Sequence, residues 1–112
     1  MTPLPDIATM PAADVRCEIA ERLGWKFVKT TASLDPAGEW NRLPHWHYDL
    51  NAAWGLWEPM GVERHLSSHS GMCYTAIEWI DDDVERGTAQ QDPHPALAIC
   101  RAALAYLRET KP

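Results

Sequence analysis

Pro95-Ala96-Leu97-Ala98-Ile99-Cys100-Arg101-Ala102-Ala103-Leu104-Ala105-Tyr106-Leu107 is the stretch on which the architecture turns. Ala96, Ile99, Cys100, Ala103, Leu104 and Leu107 recur at three- and four-residue spacings, which lays them along one stripe of an α-helix. Arg101, Glu109 and Lys111 fall outside the stripe and are expected to face water, while Arg108 and Lys111 suit the negative end of the helix dipole. Such a helix gains most of its stability from an apolar partner surface, which the rest of the chain must supply.

Val62 to Ser68 and Met72 to Ile80 are two strand-like runs, and His69-Ser70-Gly71 between them is short enough for an antiparallel hairpin. On the second run Cys73, Thr75, Ile77 and Trp79 share one face and Tyr74, Ala76, Glu78 and Ile80 the other; alternation leaves open which face is buried. Asp81 to Pro93 is charged and turn-rich and reads as a surface loop. Nearer the start, Val15, Ile19 and Leu23 predict an amphipathic helix over Ala12 to Leu23, with Thr9 and Pro11 suited to its beginning and Gly24 to its stop. Trp25 to Thr30 alternates like a half-buried strand, and Ala32 to His45, with Asp35-Pro36-Ala37-Gly38 and Leu43-Pro44, reads as a loop. A further helix is capped by Asp49, runs through Leu50, Ala53, Trp54 and Trp57, and ends at Pro59 and Gly61.

The resulting order is helix, strand, helix, strand, strand, helix, an α/β (α+β) pattern. It predicts a three-layer α/β/α sandwich of three helices on a small antiparallel or mixed sheet of about three strands. The alternative leaves one sheet face bare, and a bare apolar face invites dimerisation. The 112 residues make one domain over 1–112, with long loops at about 31–48 and 81–94.

Composition narrows the function. The chain is 46% hydrophobic and 23% charged, as ordinary folded domains are, and no stretch approaches the roughly 20 apolar residues of a membrane span. Sixteen Asp and Glu against ten Lys and Arg give a net charge of -6, which argues against sequence-independent binding to nucleic-acid phosphates. Cys17, Cys73 and Cys100 lie far apart within apolar stretches, as in a reduced cytosolic protein, and the first residues have no basic, apolar leader pattern.

Three stretches resemble the phage ABA sandwich domain family of short bacteriophage and prophage proteins. They are Met10-Pro11-Ala12 leading to Leu23-Gly24-Trp25-Lys26, then Pro44 to Trp54, then Pro95 to Leu104. In the middle stretch Pro44, Asp49, Ala52, Ala53 and Trp54 match a family pattern of Pro-x-Tyr-Ser-Thr-Asp followed by Ala-Ala-Trp, whereas His45-Trp46-His47-Tyr48 departs from it. The last stretch is similar to the family's Ala-Ile-Cys-x-Ala-Ala-Leu helix. The resemblance spans most of the chain outside the two long loops. It implies an α/β/α fold, a phage or prophage origin and a place in the host bacterial cytoplasm, and it carries over no catalytic residue.

The densest chemistry is His45-Trp46-His47-Tyr48-Asp49. In extended chain His45 and His47 project to the same side, a candidate metal-ligand pair with Asp49 as a third, against which stands the use of Asp49 as a helix cap. No histidine has a nucleophile and an orienting partner placed beside it by the sequence, so no catalytic residue and no cofactor is assigned. Asp81, Asp82, Asp83 and Glu85 lack the ligand spacing of a calcium loop. Trp25, Trp54, Trp57 and Trp79 are expected in the core, but Trp40 and Trp46 have no periodic reason to be buried.

Trp40, Arg42, His45, Trp46, His47 and Tyr48 are therefore the candidate binding residues. The expected function is that of a non-enzymatic, homodimeric binding protein that inhibits a host protein, a defence protein being one such target. The alternatives are a sponge that sequesters a nucleotide-like signalling ligand by stacking on Trp40 or Trp46, and a metal-dependent enzyme.

Overall fold

The computed structural model describes residues 4–28, 32–60 and 62–110. It is an α+β fold with three α-helices and two antiparallel sheets, one of two strands and one of three. After a short 3-10 turn at Ile7–Thr9 comes α1 (Ala12–Arg22), then β1 (Ser33–Leu34), β2 (Trp40–Asn41), α2 (Leu50–Trp57), β3 (Glu63–His69), β4 (Met72–Asp81), β5 (Val84–Asp92) and α3 (Pro95–Thr110).

The stripe expected on α3 is buried along its whole length, and so are Ala98, Arg101 and Ala102 on its other sides. The helix packs against β4 and β5 on one side and α1 and α2 on another, which makes it the centre of the core. Burying Ile99, Leu104 and Leu107 stabilises the fold by about 1.5–3 kcal/mol each relative to exposure. This central position corrects the expectation for Arg101, which is buried rather than water-facing. Its guanidinium forms an ion pair with Asp92 at 3.2 Å and donates to the carbonyls of Ile7 and Met10, so the charge is compensated where it is desolvated. Arg108, one helical turn pair further on, donates to both oxygens of Glu18 at 2.6 Å and to the Pro5 carbonyl at 2.8 Å. The two arginines tie the N-terminal segment and α1 to α3.

The larger sheet runs β3-β4-β5, antiparallel throughout. The β3–β4 hairpin turns on Ser70 and Gly71, both with positive φ (52° and 76°), the two-residue geometry that matches strand twist. On β4 the face carrying Thr75, Ile77 and Trp79 is buried, which settles the choice that alternation left open. The opposite face leaves Tyr74 and Ile80 exposed, with a shallow depression of about 320 Å³ lined by His65, Ser67, Tyr74, Ala76 and Ala89 among others.

Three stretches differ from expectation. Ala32 to His45, expected as a loop, carries the short antiparallel β1–β2 hairpin, with Ser33 paired to Asn41 and Leu34 to Trp40. The Asp81 to Pro93 stretch is not a loop: Asp82 and Asp83 take positive φ (50° and 63°), and β5 pairs with β4 from Cys73↔Asp92 to Asp81↔Val84. As an edge strand largely open to solvent, β5 needs few apolar residues, and its charges hide it from a hydrophobicity pattern. Conversely, Trp25 to Thr30 does not begin as a strand. Gly24 leaves α1 at φ 102°, Lys26 makes one isolated bridge to Leu34, and Phe27 then turns the chain away at φ 54°. Lys29 and Thr30 lie outside the described residues.

Candidate functional site

The segment from Ser33 to Asp49 is held by its polar residues and aimed by them. Asp35 closes the small β1–β2 hairpin, its carboxylate accepting from the Glu39 amide at 2.8 Å and the Asn41 side chain at 2.7 Å. These hydrogen bonds favour the ionised form and hold its pKa below the ordinary value. Leu34 pairs with Trp40 across the hairpin and with Lys26 on its other side, which sets Phe27 beside Trp40. The two rings stack with centroids 5.9 Å apart and planes 24° from parallel, yet Phe27 is 63% and Trp40 62% exposed. A bulky side chain at positive φ is a genuine backbone outlier, costing on the order of 1–2 kcal/mol. Arg42, two residues after Trp40, is also exposed.

Beyond Arg42 the chain turns inward. Leu43 is buried, and Arg16 of α1 donates to the carbonyls of Leu43 and Pro44, pinning the segment to the helix. A tight turn follows, with the amides of Tyr48 and Asp49 donating to the His45 carbonyl at 3.2 and 2.8 Å. Trp46 points into the core and is 7% exposed. That corrects its expected role as a surface stacking residue: a turn here, in place of extended chain, puts the ring between its neighbours and the core. His45 and Tyr48 stay outside, their rings stacked at 4.7 Å, and His47, half-buried, meets Tyr48 edge-on at 4.6 Å.

The imidazoles of His45 and His47 are 6.3 Å apart with Tyr48 packed against both. Asp49 spends its carboxylate on the amides of Asn51 and Ala52 at the start of α2. Among the described residues no group of three His, Cys, Asp or Glu side chains is arranged to hold a metal ion. Burial pushes the pKa of His47 down, and the nearby charges of Arg16, His45 and His94 add to that; its Nδ1 is buried and has no hydrogen-bond partner among the described residues. The Cys100 thiol is pushed up to about 12 by burial inside α3, which removes it as a nucleophile near neutral pH.

Of the six candidate residues, then, Trp40, Arg42, His45 and Tyr48 are on the surface, His47 is at its edge and Trp46 is not. The sequence reading missed Phe27, because its exposure depends on a left-handed backbone that no residue pattern announces. The remaining tryptophans pack as expected or nearly so: Trp57 is fully buried, Trp79 nearly so, Trp25 half-buried, and Trp54 half-buried with the Arg64 guanidinium 5.1 Å from its ring centroid. The chain matches no protein-family model, no curated protein and no solved structure.

Proposed function

We propose that this chain is a non-enzymatic accessory protein of phage or prophage origin that acts in the host bacterial cytoplasm by binding and inhibiting a host protein. The binding surface is built on the stacked ridge of Phe27 and Trp40, with Arg42, His45 and Tyr48 exposed further along the same segment. One observation carries this reading: two large aromatic rings stack on each other while both remain mostly exposed, and one is held out on a strained backbone. Aromatic and arginine side chains are the residue types that dominate binding energy at protein interfaces. The net charge of -6 suits competition for a basic surface on the partner. The uncovered outer sheet face, with Tyr74 exposed beside Ala76, supports homodimerisation, and a facing layer from a second copy would complete the three-layer arrangement.

The test is a pair of substitutions. Phe27→Gly removes the ring and also the strain, so its effects on stability nearly cancel, and Trp40→Ala removes only an exposed ring. Both variants should keep the circular dichroism and melting temperature of the parent within a few degrees while losing co-purification of the host protein that the parent retains from its bacterial host. Undiminished co-purification by both variants would overturn the assignment of the ridge.

A further inference from the structure

The outer face of the β3-β4-β5 sheet has two unlike halves, which the register sets out in cross-strand rows. At one end Ile80 lies opposite Glu85, and in the next row Glu63 lies opposite Glu78. His65 and Ala76 share the row after that, and Tyr74 and Gln91 the last. One half therefore holds three carboxylates and an isoleucine that is 74% exposed. The other holds imidazole, hydroxyl and amide donors around the depression of about 320 Å³. Among the described residues Glu63, Glu78 and Glu85 take part in no ion pair. Helix α3 packs on the opposite face, behind Thr75, Ile77 and Trp79.

A two-fold axis that lays a second copy of this face on the first must lie between the two sheets, and it has two simple orientations. An axis along the strands keeps every row over itself and sets Glu78 against Glu78 of the second copy, a like-charge contact. An axis across the strands at the level of Ile77 reverses the rows. Glu63 then comes over His65 of the second copy, Ile80 over its Tyr74 and Glu85 over its Gln91. Tyr74 and Ile80 are about 20 Å apart along β4, so the projecting side chain and the depression meet their counterparts at both ends at once. The angle of about 30° between facing sheets shifts the outermost contacts by about one strand, which leaves the acidic half over the donor half.

We infer that the outer sheet face is the interface between two copies of this chain, packed with the rows reversed. The acidic half of each copy meets the donor half of the other, and Ile80 of each enters the depression beside Tyr74 of the other. The Glu63–His65 contact lies nearest the axis and occurs twice. This geometry rests on the homodimer of the proposed function and deepens it; none of the ridge residues takes part.

Three strands spaced about 4.8 Å apart offer a small interface of the transient class, so association is followed by sedimentation equilibrium from micromolar to submillimolar protein. Ile80→Asp and His65→Glu are each expected to weaken dimerisation at least about tenfold, because each substitution is felt at two symmetry-related contacts. Val84→Asp, at an exposed apolar position whose register places it off this face, should change it less than about threefold. Adding Glu63→Arg to His65→Glu re-forms an opposite-charge pair twice and should bring the affinity back to within about threefold of the parent. His65→Glu/Asp82→Asn/Asp83→Asn has the same net charge as that double variant but alters the β4–β5 turn instead, and should stay as weak as His65→Glu. Circular dichroism checks that each variant is folded. A parent that stays monomeric throughout overturns the interface and the homodimer together, while the ridge stands or falls by its own co-purification test. A dimer that Ile80→Asp and His65→Glu leave intact overturns this face alone, and equal rescue by the turn substitutions overturns the row reversal.

Discussion

Trp40 and Trp46 are six residues apart in one segment, and replacing each by alanine should produce very different proteins. Trp46 is 7% exposed, so its removal forfeits the burial of a whole indole and leaves a cavity that the pinned segment between Arg16 and the Asp49 cap is poorly able to close. Large-aromatic truncations of that kind cost about 3–5 kcal/mol. For a domain near 100 residues each kcal/mol lowers the melting temperature by roughly 4–8 °C, so Trp46→Ala should lose at least about 12 °C. Trp40, at 62% exposed, loses chiefly a solvent-exposed stack on Phe27, at the low end of the range for such pairs, about 0.5 kcal/mol, and should melt within several degrees of the parent. Thermal unfolding followed by far-ultraviolet circular dichroism, with urea titration to show that the slope on denaturant is unchanged, measures both. Equal melting temperatures for the two variants, or a larger loss in Trp40→Ala, would refute the inward and outward assignment of the two rings.

Acid should destabilise the protein in two phases. The folded-state pKa of His47 lies below its ordinary value near 6.5, so the unfolded chain takes up the proton first; stability falls as pH drops below about 6.5 and this loss levels off below the folded pKa. Glu18, held below its ordinary value first by the Arg108 hydrogen bonds and with Arg22 contributing, should add a second loss as pH falls from about 4.5 through its own lowered pKa. His47→Gln should remove the first phase and Glu18→Gln should reduce the second, to which the lowered Asp35 carboxyl also contributes, in stability curves measured against pH. Arg101→Ala, which strands Asp92 in a largely buried position, should cost about 3–5 kcal/mol in urea unfolding, and Arg101→Met distinctly less if Asp92→Asn accompanies it; a cost under about 1 kcal/mol for Arg101→Ala would place that side chain at the surface after all. A thiol reagent at neutral pH should leave Cys100 unmodified until the protein unfolds, as read by mass spectrometry of protease fragments.

The parts of the fold that could be read from the sequence are those in which a local signal and the tertiary demand agree. The apolar stripe of α3, the Asp49 cap of α2 and the Ser70-Gly71 turn each say the same thing at both levels, and each is present. Strand β5 was hidden because an edge strand with one half-buried face carries the composition of a loop, and because an Asp-Asp pair in left-handed conformation makes a turn usually signalled by Asn-Gly or Asp-Gly. Trp25 to Val28 has a strand's composition, but Phe27 sits in a conformation its side chain disfavours, so propensity pointed the wrong way. Arg101 was misplaced for a different reason: helical periodicity says which side carries charge, and it is silent about a partner such as Asp92 waiting there. In the candidate site, residue types identified an aromatic surface at Trp40 and Tyr48 but not the direction of Trp46, which depends on a turn fixed by the His45 carbonyl.

The most direct measurement is native mass spectrometry of the parent protein and its Trp40→Ala variant, each purified gently from the bacterial host. The expected result is a protein partner, held by the parent at a defined mass and missing from a variant that retains its fold. A nucleotide-sized adduct in place of a protein, or the same protein partner on both, would contradict the reading of the Phe27–Trp40 ridge as a surface that captures a host protein.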